Sequence, residues 1–227
     1  MNILAYHTPP RIQERKDAKK RHILDSAAKV FAVKGYHNTN IRDILDEAGI
    51  STGSFYFYFN TKEELFEILY DEMIKTYVSV LQDAVNTMMD DAGNVAASIA
   101  KAITLSLQTF QENKELARIM LISSVGLNPA FEKKRIAEHQ KISLIFEEIF
   151  QSLLQKKTIR VLNAKVAAIL FTGSIYAIIT HWLQEETSID LVEFTLPLII
   201  YNLQALGIQS NDDQLPMARN GQPQVIS

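Results

Sequence analysis

Apolar side chains recur at intervals of three and four along almost the whole chain, and no stretch alternates with the period of two expected of a half-buried strand. The expected fold is therefore all-α, with about nine helices. A short helix over residues 40–48 puts Ile41, Ile44 and Leu45 on one face while Arg42, Asp43, Asp46 and Glu47 face away, and Asn40 supplies its N-cap. Gly49 ends it in a conformation that carries no Cβ penalty, Ile50 turns inward, and Ser51 caps the next helix. Residues 61–64, Thr-Lys-Glu-Glu, form a capping-box signature with Glu64 at the third helical position. The helix it opens, 65–89, repeats Leu65, Leu69, Met73, Ile74, Tyr77, Val80, Leu81, Ala84 and Met88, and should stop at Asp90-Asp91-Ala92-Gly93. Further helices are expected from Asn94 through Phe110, over about 114–125, and over 131–156. The last two, about 163–185 and 188–206, are apolar on more than one face, with Pro197 predicted to kink the final one.

The helix after Ser51 has a small polar first turn, Thr52-Gly53-Ser54, followed by five aromatics, Phe55 to Phe59. At 100° per residue such a run sweeps the whole circumference, so it cannot all be core. Phe55 and Phe59 share a face that can close over Ile44, Ala48 and Ile50; Tyr56, Phe57 and Tyr58 are left to project outward. A helix, a glycine turn and a second helix make a helix-turn-helix, whose second helix enters the major groove of DNA. Tyr hydroxyls donate to phosphates, and an exposed ring contacts a thymine methyl. Lys62, in the first turn of the next helix, is placed for a phosphate.

These residues resemble the DNA-binding domain of the TetR (TetR/AcrR) family of transcriptional regulators. The resemblance rests on an ordered set: the first-helix run Ile23 to Phe31 with Gly35, then Thr39-Asn40, Ala48-Gly49-Ile50-Ser51, Phe55 to Phe59, and Lys62-Glu63-Glu64-Leu65. It covers about a quarter of the chain. It implies phosphate contacts from Thr39 or Asn40, Tyr56, Tyr58 and Lys62, and base-edge contacts from Thr52, Gly53 and Phe57. Arg42 is a further DNA-binding candidate, and Ser51 and Ser54 lie in the same segment. Asn40, Phe57 and Tyr58 depart from the commoner residues at their positions, which leaves the operator sequence open.

The implied organisation is a tail over 1–15, a helix-turn-helix domain over 16–62, a helical effector-binding and dimerisation domain over 63–208, and a tail over 209–227. A net charge of −3 is unusual for a DNA binder, but it is unevenly spread. Residues 1–62 hold ten Lys/Arg against six Asp/Glu, and the remainder thirteen against twenty. The run Arg11, Arg15, Lys16, Lys19, Lys20 and Arg21 reads equally as a solvated helix start or as an arm reaching the DNA backbone. With no cysteine there is no disulfide, thiolate metal site or redox switch. A cytoplasmic location is expected, and neither a metal nor a cofactor. Val166 to Thr180 has no charge but falls short of the roughly 20 apolar residues of a membrane span. Gly173, Ser174 and Ala177 form a small-residue strip there, with Phe194, Leu198 and Tyr201 facing it.

In the resembling family the last two helices build a homodimer that presents two recognition helices to a palindromic double-stranded operator. The resemblance also implies a small-molecule effector pocket. Its candidate lining is Met73, Tyr77, Phe110, Met120, Phe146, Phe150 and Tyr176, reaching Trp182, with Arg118, Asn128, His139 and His181 as polar anchors. That composition suits an apolar or amphipathic effector such as an acyl chain, an aromatic compound or a lipophilic drug. The expected protein is a ligand-responsive DNA-binding regulator, a repressor rather than an enzyme. There is no phosphate-binding glycine loop, no HExxH and no GxSxG. A membrane-associated helical protein is the other rival, resting on the apolar C-terminal helices.

Overall fold

The computed structural model describes residues 10–90, 94–123, 125–185 and 189–208. Every regular element among them is helical: α1 (Pro10–Lys34), α2 (Ile41–Ala48), α3 (Thr52–Tyr58), α4 (Lys62–Asp90), α5 (Val95–Glu112), α6 (Lys114–Arg118), α7 (Pro129–Gln155), α8 (Ala164–Gln184) and α9 (Thr195–Ala205). The expected stop at 91–93, the C-terminal tail and residues 1–9 of the N-terminal one lie outside the described residues.

Three boundaries differ from the sequence expectation. Helix α1 starts at Pro10, so residues 10–15 are helical rather than tail; proline suits a first helical position, where its missing N–H is unneeded. The expected helix over 114–125 is five residues of α6 followed by a wider π-turn, Ile119–Ser123, which buries Ile119, Met120 and Leu121. Pro197 does not kink the last helix. That segment opens as a 3₁₀ turn, Leu191–Phe194, and α9 starts only at Thr195, which puts Pro197 in the first turn.

The chain divides into two compact units. The first comprises the chain through Thr76 together with Asn113–Arg135. Its core is aromatic: Phe66 meets Phe31, Tyr36 and Phe131 with ring centroids 5.8, 4.8 and 5.3 Å apart, and Tyr70 meets Phe131 at 4.8 Å. Helix α1 packs on both α2 and α6.

The second unit comprises Tyr77–Glu112 and the chain from Ile136 onward. Here α5 packs against α8 and α9, and Phe146, Phe150 and Phe171 form a ring cluster with centroids 4.7 to 6.0 Å apart. Asn163 caps α8 by accepting from the Val166 N–H, and Asn202 of α9 bonds Ser174 of α8. Helix α8 is long and apolar enough, by length and composition, to cross a membrane. One of its faces is buried in this unit; the other leaves Val166, Ile169 and Leu170 exposed.

Candidate nucleic-acid interface

The helix-turn-helix is α2 and α3, and its geometry follows from local chemistry. Asn40 Oδ1 accepts from the Asp43 N–H at 3.0 Å, while Asp43 accepts from the Asn40 N–H at 2.9 Å. This reciprocal capping box satisfies both otherwise orphaned donors. The Lys34 ammonium, 2.7 Å from Asp43, holds that carboxyl below its usual range, assisted by the Asn40 N–H. Gly49 adopts φ 60°, ψ 39°, the left-handed cap that glycine reaches without strain. Ser51 then caps α3, accepting from the Ser54 N–H. His22 ties α1 to this turn: its Nε2 donates to the Ala48 carbonyl at 2.9 Å.

The aromatic run divides as the 100° step requires. Phe55 and Phe59 are buried, Tyr56 and Phe57 are 52% and 66% exposed, and Tyr58 is half-buried. Thr52 and Gly53 are exposed at the start of the helix and Ser54 is half-buried. A Cβ added at Gly53 would meet nothing within 4 Å. Arg42 is exposed on α2.

Three candidates are occupied within the chain. Thr39 is only 2% exposed, and its hydroxyl donates to the Gly35 carbonyl at 2.7 Å, which closes the loop between α1 and α2. Its side chain is therefore not presented outward, and Asn40, though exposed, is spent on the cap. Lys62 donates to the carbonyls of Tyr36 (2.9 Å) and Thr39 (2.6 Å) and lies 4.1 Å from the centroid of the Tyr36 ring. Two of its three N–H bonds thus hold that loop. Tyr36 completes the clamp by donating its hydroxyl to Glu63 at 2.7 Å. Burial, then Glu63, push the Tyr36 phenol up, and the Tyr36 hydroxyl holds the Glu63 carboxyl below its usual range. Glu64 departs slightly from the expected box. Its N–H is capped by Thr61, but its carboxylate accepts from the Asn60 backbone N–H rather than that of Thr61.

Replacing Lys62 by alanine leaves two loop carbonyls without their charged donor. The expected result is a loss of about 1.5–3 kcal/mol in urea unfolding. A variant with wild-type unfolding and only a reduced salt dependence of DNA binding would make the lysine a phosphate ligand instead.

The asparagine cap and the outward aromatics carried a sequence signal. Asp43 carried one too, as an acidic residue at the third position of α2, whereas the Tyr36–Glu63–Lys62 clamp joins residues 26 and 27 positions apart and carried none.

The effector candidates are dispersed. In the first unit Met73 and Met120 are buried, Arg118 is half-buried, and Asn128 caps α7 by accepting from the Phe131 N–H. In the second, Tyr77 stacks edge-on against Phe110 at 5.0 Å and its hydroxyl lies 3.3 Å from Ser106 Oγ. Burial pushes that phenol up to about 12. Phe146 and Phe150 belong to the Phe171 cluster, and His139 meets the Tyr176 ring at 5.5 Å. A cavity of about 500 Å³ in the second unit is lined instead by the α7–α8 connection, α8 and α9, including Arg160, Leu162, Val166, Leu170 and Tyr201. None of the ten candidates, nor His181 or Trp182, lines it.

Comparison with known proteins agrees with the helix-turn-helix. Residues 23–69 match the family described as bacterial regulatory proteins, tetR family. The HTH-type transcriptional regulator YdgC of Bacillus subtilis (strain 168) is 30% identical over 149 residues, covering 62% of this chain and 72% of that protein. The chain belongs to the TetR family. The fatty acid metabolism regulator protein of the same organism is 25% identical over 192 residues, 79% of this chain and 91% of that one. The transcriptional regulator FadR from B. subtilis, solved in complex with stearoyl-CoA, shares the fold with a TM-score of 0.69 at 20% identity, covering 82% of this chain and 98% of that one. As a TetR-family member the protein is a DNA-binding transcriptional regulator and not an enzyme.

Proposed function

We propose that the protein is a repressor that binds a palindromic operator as a homodimer and changes its DNA affinity on binding an acyl-chain effector such as an acyl-CoA thioester. The observation that carries the DNA half is the division of α3: Phe55 and Phe59 anchor it, and Thr52, Gly53, Tyr56 and Phe57 face outward beside an open backbone. In this reading Thr52, Gly53 and Phe57 meet base edges while Tyr56, Tyr58 and Arg42 position the helix on phosphates, within a DNA-binding head centred on residues 16–62. The rest of the chain through residue 208 binds the effector and holds the dimer together. Support for the effector class comes from relatives: one regulates fatty acid metabolism, and a fold neighbour holds stearoyl-CoA. A regulator that must reach the chromosome works in the cytoplasm.

Gly53→Ala is the sharpest test, because the added methyl meets nothing in the protein. Unfolding should be unchanged or slightly improved, since alanine is the better helix former. Binding to a duplex selected from a random pool should weaken, as should that of Thr52→Ala and Phe57→Ala, each by about 1–3 kcal/mol with altered sequence preference. Unaltered binding and preference in all three would remove α3 from the groove. Addition of palmitoyl-CoA should lower the affinity of the wild-type protein for the same duplex.

A further inference from the structure

Helix α1 runs through residues 10–22 before reaching the segment that matches the family. At 100° per residue, Arg11, Arg15, Lys16, Lys19 and Lys20 fall within about one half of its circumference, while Glu14 and Asp17 fall in the other. One edge of this basic half, Lys16 and Lys20, lies against the recognition-helix aromatics. Lys16 Nζ lies 5.7 Å from the centroid of the Phe57 ring and Lys20 Nζ 5.6 Å from that of Phe59, contacts of cation–π type. Arg21, by contrast, is spent on Asp25 and Glu72. Among the described residues no carboxylate is ion-paired with Arg11, Arg15 or Lys19, and all three are exposed.

The helix-turn-helix itself is short of cations. Helix α3 has no charged residue, α2 sets Arg42 against Asp43, Asp46 and Glu47, and Lys62 is engaged with loop carbonyls. Yet duplex binding draws most of its non-specific affinity from lysines and arginines that neutralise phosphates and release counterions. We propose that the N-terminal extension of α1, residues 10–22, is a rigid phosphate-binding rail that engages the backbone of double-stranded DNA next to the groove entered by α3. This rests on the DNA-binding reading of α3 and assigns that site its principal source of positive charge. A membrane surface fits the extension less well: Ile12 is its one exposed large apolar side chain, and an interfacial helix needs an apolar face.

The test uses the full chain with Arg11, Arg15 and Lys19 all changed to glutamine, a residue that keeps helix propensity. The probe is a duplex recovered with the wild-type protein from a random-sequence pool, titrated over a range of salt concentrations. The slope of log K against log salt should shrink by about 2.7 per protomer, about 0.9 for each phosphate that is no longer neutralised. Discrimination between the selected duplex and a scrambled one should persist, and the charge-retaining Arg11→Lys, Arg15→Lys, Lys19→Arg variant should keep the wild-type slope. A wild-type slope in the glutamine variant overturns the rail; so does an equally reduced slope in the charge-retaining variant. A wild-type slope joined to abolished binding of phosphatidylserine vesicles would assign the basic face to a membrane and overturn it likewise. Failure of the underlying reading has a different signature: no duplex is enriched from the pool, or Thr52→Ala leaves sequence preference untouched.

Discussion

Changing Leu170 to glutamate is expected to convert the proposed homodimer into a monomer and to weaken binding to the proposed palindromic operator by about 10² to 10⁴. Leu170 is 61% exposed on α8, beside Val166 and Ile169 on the same helix and close in the fold to the exposed Tyr201 of α9. One face of α8 is buried inside its own protomer, and the exposed apolar side chains of the other are the surface the proposed dimer would cover. Gly173 and Ala177 continue that side of the helix with small side chains, which permits a close approach of a second helix. In a two-fold interface each substitution occurs twice, and a carboxylate there is buried without a counter-charge. Leu170 contributes little to the protomer's own core, so the variant should stay folded while dissociating. Light scattering after size exclusion gives the mass, and titration of a palindromic duplex against a single half-site gives the avidity that depends on two heads. A glutamate variant that remains dimeric and binds the palindrome as wild type does would place the interface elsewhere.

The features legible in the sequence are those that act over one helical turn. Asn40, Ser51 and Thr61 each accept from an N–H three residues on, an interaction fixed by local backbone geometry. The division of the aromatic run follows from helix periodicity alone, and burial of Phe55 and Phe59 agrees with it. What the sequence hid depends on distant partners. A lysine in a first helical turn suits a phosphate equally well as a loop carbonyl, and only tertiary placement brings the Tyr36 and Thr39 carbonyls to Lys62. Periodicity marks Met73, Tyr77, Phe110 and Phe146 as inward-facing, but an inward face packs a core or lines a pocket with the same spacing. Pro197 was expected to kink the final helix, yet it stands in the first turn of α9, where proline removes no hydrogen bond.

Phe66→Ala should bring the largest loss of stability in the DNA-binding unit. The ring is fully buried on α4 and touches Phe31 of α1, Tyr36 of the following loop and Phe131 of α7, so its removal opens a void shared by three segments. Deleting a buried phenylalanine costs about 3–5 kcal/mol, a large share of the roughly 5–15 kcal/mol that a folded domain has in total. Tyr36 also carries the hydroxyl that Glu63 accepts and the carbonyl that Lys62 donates to. Loosening its ring therefore loosens the loop that sets α2, and through the Gly49 turn α3. The expected result is a fall of about 10 °C or more in the unfolding midpoint of a chain this size, with operator binding abolished on warming at a lower temperature than in the wild type. Excess operator duplex should restore part of that midpoint, because a ligand that binds only the folded state stabilises it by mass action. Tyr56→Ala is the matched control: it removes an exposed ring from the same unit and should shift stability by no more than about 0.5 kcal/mol while weakening DNA binding. A Phe66→Ala protein that melts within a degree or two of wild type would show that Phe31, Tyr36 and Phe131 close the gap themselves, and that the aromatic cluster does not hold α2 and α3 in place.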